Sequence, residues 1–278
     1  MRIFKLLVLT ALLSLLIQTQ LLGQLVNTES SRKERKEGIQ GNISLAFNLT
    51  QTTTQITQLQ NSASLQLTKG RHTYLLLNSV EFLRLSSDNA KQDLANQNFQ
   101  HFRYNYNFRD TAAVIWEYFL QHQQNKIKYQ DLRIVTGTGP RVRLVENERF
   151  SLFVCPLFMY EHELEFETAT TKVATHVLKG DLYGVLVCKF TDEILLRHVT
   201  YYQPALFDFT KTTGFEPIND FRVASETALV FKLLKKRLEF ATVFNYSHDS
   251  RPPGLYLLEA QKSKMTFFEI KNEIKVNF

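Results

Sequence analysis

Histidines are the side chains of this chain best suited to acid-base chemistry, and they are scattered along it. Of the seven, only His248 has a carboxylate and a hydroxyl beside it, in the run His248-Asp249-Ser250. A hydrolase holds its serine, histidine and acid at separate points of one site, a geometry that adjacent residues of a loop rarely reach. We therefore interpret the run as a polar loop and expect no enzyme. A lipid hydrolase is the third of the three functions considered.

A metal site is not predicted either. The densest group of metal-binding residue types is Glu161-His162-Glu163. On a β-strand, successive side chains point to opposite faces, so these three residues cannot converge on one ion. We expect no metal ion and no other cofactor.

Charged residues that alternate with apolar ones form a larger set. Their basic and acidic members are nearly equal in number, whereas a selective pore shows one sign of charge along its wall. Unpaired charge in a narrow interior is costly, so we expect pairs such as Asp131 with Arg133. The residues predicted to face an interior space are Arg103, Glu117, Asp131, Arg133, Arg141, Arg143, Glu226, Glu239, Glu269, Lys271, Glu273 and Lys275.

The end of the chain indicates where such strands lie. Five apolar residues alternate with charged or polar ones up to the last position, which is an aromatic residue; they are Phe268, Ile270, Ile274, Val276 and Phe278. This pattern resembles the assembly signal of bacterial outer-membrane β-barrels. It implies an integral outer-membrane protein whose partners are membrane lipid, lipopolysaccharide and the barrel-assembly machinery.

The start of the chain agrees with this location. Residues 1–23 combine Arg2 and Lys5 with an apolar run too short to span a bilayer, which is typical of a signal peptide. Without them, 31 basic residues face 27 acidic ones, and a net charge of +4 gives no reason to expect nucleic acid. Residues 24–37 are predicted to be a charged, solvated periplasmic leader.

From residue 38 to 278 the period is two, which predicts an all-β domain of about twelve strands. Short turns, such as Lys69–His72, alternate with longer polar connections, such as Ser247–Lys264. This alternation favours a transmembrane up-and-down antiparallel barrel with short periplasmic turns and longer extracellular loops. Its first strand should pair with the last. The inward face of the ninth strand stays open, and Cys155 and Cys188 are expected to be separate thiols.

Bulky residues on the predicted inward faces argue against a wide pore. Phe119 and Phe153 face inward in the middle of the chain, together with Leu157 and Met159. Gly137 and Gly139 lie on the strand between them, and a glycine can let an aromatic ring lie against the barrel wall.

Several short motifs occur in the order seen in one family. They are Phe102-Arg-Tyr-Asn-Tyr106, Tyr129 to Pro140 with its Thr-Gly-Thr-Gly-Pro end, Glu148-Arg-Phe-Ser-Leu152, and Tyr246-Ser-His-Asp-Ser-Arg-Pro-Pro-Gly254. The chain resembles, on these motifs, an uncharacterised outer-membrane barrel family represented by the salt-induced outer membrane protein. The resemblance implies a monomer of unassigned role linked to envelope or osmotic stress, and it supplies no catalytic residues. In the last motif, Asp249, Ser250, Pro252, Pro253 and Gly254 are expected to fold an external loop over the barrel mouth.

Two functions of different classes follow from these observations. The first is a narrow channel, or weak binder, for small solutes or ions. The second is a non-conducting structural barrel whose external loops engage lipopolysaccharide or surface partners.

Overall fold

Alternating apolar and polar residues build twelve β-strands of 12 to 18 residues in the computed structural model of the chain. Gly70 has a positive φ of 55°, which suits the tight turn after the second strand. The strands are β1 (Gly38–Gln51), β2 (Gln55–Lys69), β3 (His72–Ser87), β4 (Ala90–Asn107), β5 (Val114–Asn125), β6 (Gln130–Glu146), β7 (Phe150–Phe166), β8 (Lys172–Lys189), β9 (Ile194–Asp208), β10 (Phe221–Leu233), β11 (Leu238–Asp249) and β12 (Met265–Asn277).

The structure describes most of the chain after residue 27. The described ranges are 28–32, 35–51, 55–87, 90–109, 113–125, 130–166, 171–211, 215–234, 237–250 and 265–278. The predicted signal peptide, residues 1–23, lies outside them. In these ranges, no helix has the length and apolar content needed to cross a bilayer.

Every strand pairs antiparallel with its neighbours in the chain, and β1 pairs with β12, so the sheet closes into a barrel. Closure satisfies the backbone groups of both edge strands, which hydrocarbon could not do. At the join, Gly41 and Phe278 exchange backbone hydrogen bonds of 3.0 and 3.1 Å. A Cβ on Gly41 would lie 2.6 Å from the Phe278 ring, so the ring covers the glycine. The predicted up-and-down barrel and the pairing of its first and last strands are confirmed.

The two faces of the sheet differ as predicted. Apolar side chains such as Phe102 and Leu120 point outward and are about half exposed, whereas Arg103 and Glu117 point inward and are buried. Near the short turns, the outward ring of Tyr104 lies 5.2 Å from that of Tyr74 and 6.0 Å from that of Tyr118. An aromatic band of this kind is typical of the interface zone of a transmembrane barrel.

The strands are longer than the roughly ten residues that a tilted strand needs to cross the membrane. β3 and β4 pair as far as Ser87 with Ala90. The inward face of β9 is now clear, because Val199 and Tyr201 are buried inside while Tyr202 is exposed outside. Cys155 and Cys188 are separate thiols, as predicted.

Part of the barrel interior is a packed apolar core. Phe119, Leu157, Met159 and Tyr183 belong to one cluster of buried residues, to which strands β5 to β10 contribute. A Cβ on Gly137 would lie 2.5 Å from the Phe119 ring. The glycine therefore lets the ring lie flat against the wall, as the sequence predicted.

Candidate functional site: the lumen and its plug segment

A short segment ahead of β1 lies inside the barrel. Thr28–Ser31 forms one 3₁₀ turn, and Arg32 follows it. We call Thr28–Arg32 the plug segment. Thr28, Glu29 and Ser31 are at most 5% exposed. The prediction of a solvated leader is therefore wrong for these residues, because buried arginines of the wall bind Thr28 and Glu29, whereas residues 35–37 are exposed.

Three neighbouring strands present the charges that hold the plug segment. Arg103 on β4, Glu117 on β5 and Arg141 on β6 point inward at nearby levels, since Asn105 pairs with Glu117 and Ile115 with Arg141. All three side chains are buried. We call them, together with Glu29 and Arg32, the plug cluster.

Glu29 bridges the two wall arginines. Its Oε1 accepts a hydrogen bond from Arg103, and its Oε2 lies 2.9 Å from Nη1 of Arg141. Arg103 also donates to the Thr28 hydroxyl at 2.7 Å. Charge-assisted hydrogen bonds of this kind are about twice as strong as neutral ones. The contacts join residues that are 74 and 112 positions apart in the chain.

Arg32 adds a second attachment. Its Nη2 lies 2.5 Å from Oε1 of Glu117 and 3.3 Å from Oε1 of Glu29. The other oxygen of Glu117 accepts a hydrogen bond from the Tyr183 hydroxyl. The Arg141 guanidinium stacks 4.1 Å over the Phe153 ring. The plug cluster thus links the segment to strands β4, β5 and β6, which contact β7 and β8 through Phe153 and Tyr183.

The environment of Glu29 decides its charge. Burial by itself would raise the pKa of this carboxyl, but the positive charges of Arg141, Arg32 and Arg103 outweigh it and hold the pKa well below its usual value of 4.5. The carboxylate is therefore ionised at neutral pH, and docking of the segment is an ionic interaction.

In the described part of the barrel, two cavities lie on opposite sides of the plug segment. The chamber on the side of the long connections has a volume of about 100 Å³ and is lined by Thr28, Arg103, Phe119 and other residues. The chamber on the side of the short turns has a volume of about 560 Å³ and is lined by Glu29 and Arg141, among others. We call them the loop-end chamber and the turn-end chamber.

A separate group of charges lies where the barrel closes. Lys271 on β12 donates a hydrogen bond of 3.1 Å to Gln60 on β2. Glu81, Glu226 and Glu269 are buried and lie within electrostatic reach of its ammonium group. We call these four charged residues the seam cluster. Beside the cluster, Glu273 and Lys275 also face inward on β12, and Nζ of Lys275 lies 3.9 Å from Oε1 of Glu273.

A third group lies at the loop-end chamber. Glu161 accepts hydrogen bonds from Arg133 and Lys179, and Arg222 lies 3.7 Å from it. Arg222 also pairs with Asp249 at 2.7 Å. The predicted inward positions of Arg133, Arg141, Glu117, Arg103, Glu226, Glu269, Lys271, Glu273 and Lys275 agree with the burial of their side chains.

The structure corrects the position of Asp131. A bulge in β6 between Gln130 and Leu132 moves Asp131 off the inward row. It pairs with Lys172 at 2.7 Å at the barrel rim, with the side chain 31% exposed, and not with Arg133 as predicted. Arg143 and Glu239 do lie on the inward rows, but near the short turns, where Arg143 pairs with Glu146 and Glu239 accepts a hydrogen bond from Asn277.

The side chains of the run His248-Asp249-Ser250 have separate partners. His248 bonds to Thr266 at 2.9 Å, Asp249 to Arg222, and Ser250 accepts a hydrogen bond of 2.7 Å from the backbone of Phe221. Pro252, Pro253 and Gly254 lie outside the described residues. Among the residues that are described, no group of three or more histidine, cysteine or acidic side chains could hold a metal ion.

The apolar face of the closing strand points outward as predicted. Phe268, Ile274, Val276 and Phe278 are 43 to 70% exposed, and Ile270 is half-buried. Sequence reasoning missed Glu29 and Arg32, because they precede the first strand and carry no periodic signal. Only the density of charge after residue 28 could have drawn attention to them.

Comparison with known proteins places the chain among barrels. A protein-family model described as "Protein of unknown function, DUF481" matches residues 43–256, which confirms the resemblance to an uncharacterised barrel family. No curated protein matches the sequence significantly.

Solved structures with a similar fold include an outer membrane channel from Pseudomonas putida F1, with a TM-score of 0.55 and 7% identity over 92% of this chain and 100% of that one. The NanC porin has a TM-score of 0.47 at 9% identity, covering 86% of this chain and 98% of its own. The KdgM porin in complex with disordered oligogalacturonate has a TM-score of 0.42 at 9% identity, covering 85% and 99%. At such identities the likeness shows the barrel fold alone.

Proposed function

The chain belongs to the family described as protein of unknown function DUF481, and we propose that it is a narrow outer-membrane channel for small solutes or ions that its own plug segment holds closed. The observation that carries the proposal is the pair of chambers separated by Thr28–Arg32. A barrel built only as a scaffold has no need for a turn-end chamber of about 560 Å³ that leads to a segment whose described contacts with the wall are made by side chains.

The plug cluster supports a gate more than a permanent filling. The described hydrogen bonds that hold the segment to the wall come from side chains of Thr28, Glu29 and Arg32, whereas the segment's one described backbone bond, Arg32 to Glu29 at 3.2 Å, is internal. If it left the lumen, no strand pairing would be lost. Twelve strands are intermediate between the eight that leave room only for side chains and the sixteen or more of open porins.

The location is part of the same proposal. The outward apolar face, the aromatic band near the turns and the closed edge suit a barrel in the outer membrane. The proposal includes export directed by residues 1–23 and assembly as a monomer through β12. Fractionation of cells that express the full chain would test it. Recovery in the soluble periplasmic fraction would overturn the location.

Single-channel recording in planar bilayers tests the function. We expect the wild-type mature chain to show low conductance with rare openings. Glu29→Ala removes the carboxylate that bridges Arg103 and Arg141, so it should raise the mean conductance severalfold. Glu37→Ala is the matched control: its carboxylate is exposed and accepts a hydrogen bond of 2.9 Å from the Gly70 backbone, outside the plug cluster.

Two results would contradict the proposal. If neither wild type nor Glu29→Ala conducts above the empty membrane over a wide range of voltage and salt, the chain is not a channel, and the non-conducting interaction barrel becomes the better hypothesis. If Glu37→Ala raises the conductance as much as Glu29→Ala does, the gate is not at the plug cluster.

A further inference from the structure

Glu29 occupies its site as a ligand would. Its two oxygens contact arginines from two different strands, Arg103 on β4 and Arg141 on β6. The carboxylate comes from a segment that belongs to no strand, and the wall supplies the donors. The guanidinium fork matches a planar carboxylate, which is why arginine is preferred where such a group must be bound.

Without the plug segment, the wall at this level keeps an excess of positive charge. Glu29 and Arg32 would leave together and take one negative and one positive charge with them. Arg103 and Arg141 would remain with Glu117, whose Oε2 accepts a hydrogen bond from the Tyr183 hydroxyl and lies 3.9 Å from Nη1 of Arg103. The wall at this level then has two guanidinium groups and one carboxylate of its own. One further negative charge would neutralise it.

The turn-end chamber leads to this position and is basic. The charged residues that line it are basic Arg32, Arg35, Lys36, Arg141, Lys189, Arg197 and Lys232, and acidic Glu29, Glu146, Asp192 and Glu239. Seven positive against four negative charges attract anions into a cleft with low-dielectric walls. Over the whole lumen, basic and acidic residues are predicted to be nearly equal in number, so that count does not reveal the excess of basic residues in this chamber.

The seam cluster, on another part of the wall, has the opposite balance of charge. There, three buried carboxylates lie around Lys271, so an anion would meet negative charge. Of these two walls, the one formed by β4 to β6 is the one that favours an anion.

We propose that Arg103 and Arg141 form a binding site for the carboxylate of a small solute, and that Glu29 occupies this site by mimicry. The solute and the plug segment then compete for the same two guanidinium groups, so the transported or bound solute opens its own path. The inference rests on the proposed function for the solute's passage, but the binding itself needs no conduction.

Hydrogen exchange measured by mass spectrometry on the wild-type chain in detergent micelles tests the competition. The probes are sodium acetate, sodium chloride at equal ionic strength, and acetamide, which has the shape of acetate without its charge. Acetate at about twice its dissociation constant should raise the fraction of undocked segment about threefold, because the undocked form increases by the factor 1 + [L]/Kd. Exchange at Thr28–Arg32 should accelerate by that factor, while exchange in the strands should not change.

Arginine variants show where acetate acts. In Arg141→Gln the segment should already exchange faster, and acetate should add little. Arg141→Lys keeps the charge but loses the fork, so it should retain a smaller acetate effect even if Arg141→Gln folds poorly. Lys172→Gln, at the rim, should respond as the wild type does.

The outcomes separate this inference from the proposed function. If chloride or acetamide accelerates exchange as much as acetate does, or if acetate has no effect, the carboxylate site is wrong even where bilayer recordings show a channel. If acetate releases the segment but no variant conducts, the carboxylate site is supported and the channel proposal is wrong.

Discussion

The plug cluster and the seam cluster both place buried ions in the lumen, yet they are connected to the fold in different ways. In the seam cluster, all four ions sit on barrel strands, and Lys271 and Glu269 share β12, the strand that closes the barrel. In the plug cluster, two of the five ions, Glu29 and Arg32, come from a segment outside the sheet.

This difference separates structural charge from exchangeable charge. Removing Lys271 would leave carboxylates buried in a wall that cannot move away from them, and a buried ion without its partner is strongly destabilising. Removing Glu29 leaves arginines that water or another anion can reach once the segment leaves. We therefore expect the seam cluster to control stability and the plug cluster to control access.

Breaking the seam cluster should have the largest effect on stability. Lys271→Met removes the positive charge among Glu81, Glu226 and Glu269, and it should lower the free energy of unfolding by about 3–5 kcal/mol. Urea unfolding of the purified barrel in micelles, followed by circular dichroism, measures it. Lys271→Arg is the control that keeps the charge.

The same experiment on Glu29→Ala sharpens the contrast. The loss of unfolding free energy in Glu29→Ala should be under about 1 kcal/mol, because the segment belongs to no strand and water reaches Arg103 and Arg141 once it leaves. Equal losses in Lys271→Met and Glu29→Ala would mean that both clusters are structural.

A smaller loss of stability is expected on the wall that carries Arg141. In Gly139→Ala, the new Cβ would lie 2.5 Å from the Pro156 carbonyl oxygen and 2.9 Å from the Leu157 Cα. Both are backbone atoms, so strand β7 must move, and overpacking of this kind costs about 1–3 kcal/mol. The urea midpoint should fall accordingly.

Gly184→Ala provides the matched control for that substitution. The nearest atom to its Cβ would be the Phe153 carbonyl oxygen at 3.9 Å, an ordinary contact. Its effect should stay within about 0.5 kcal/mol. An unchanged urea midpoint for Gly139→Ala would contradict this prediction, because it would mean that β6 and β7 can move apart without loss of stability.

Sequence periodicity predicted what depends on strand pairing and left out what depends on a folded interior. The faces of β12 and the contact between Phe119 and Gly137 follow from alternation, so they were predictable. The bulge that displaces Asp131 is a local irregularity without a residue signature here. Docking of Glu29 requires the positions of Arg103 and Arg141 in three dimensions, which a count of basic and acidic residues cannot supply.

Acidification should release the plug segment without unfolding the barrel. The docked Glu29 has a pKa below its usual 4.5, so docking is fully favoured above pH 4.5 and weakens as pH falls below it. Bilayer conductance of the wild type should stay low from neutral pH down to that value and rise below it. Glu29→Ala should show no such step, and a step at the same pH in this variant would assign the gate to another carboxyl.

The smallest effect is expected at the rim, where water reaches both partners of an ion pair. Lys172 and Asp131 lie 2.7 Å apart, but their side chains are 41% and 31% exposed. Lys172→Gln should therefore change the free energy of unfolding by less than about 0.5 kcal/mol, and the difference should shrink further at high salt. Urea unfolding at low and high salt measures both effects. A loss close to that of Lys271→Met would mean that water access does not decide which lumen charges are structural.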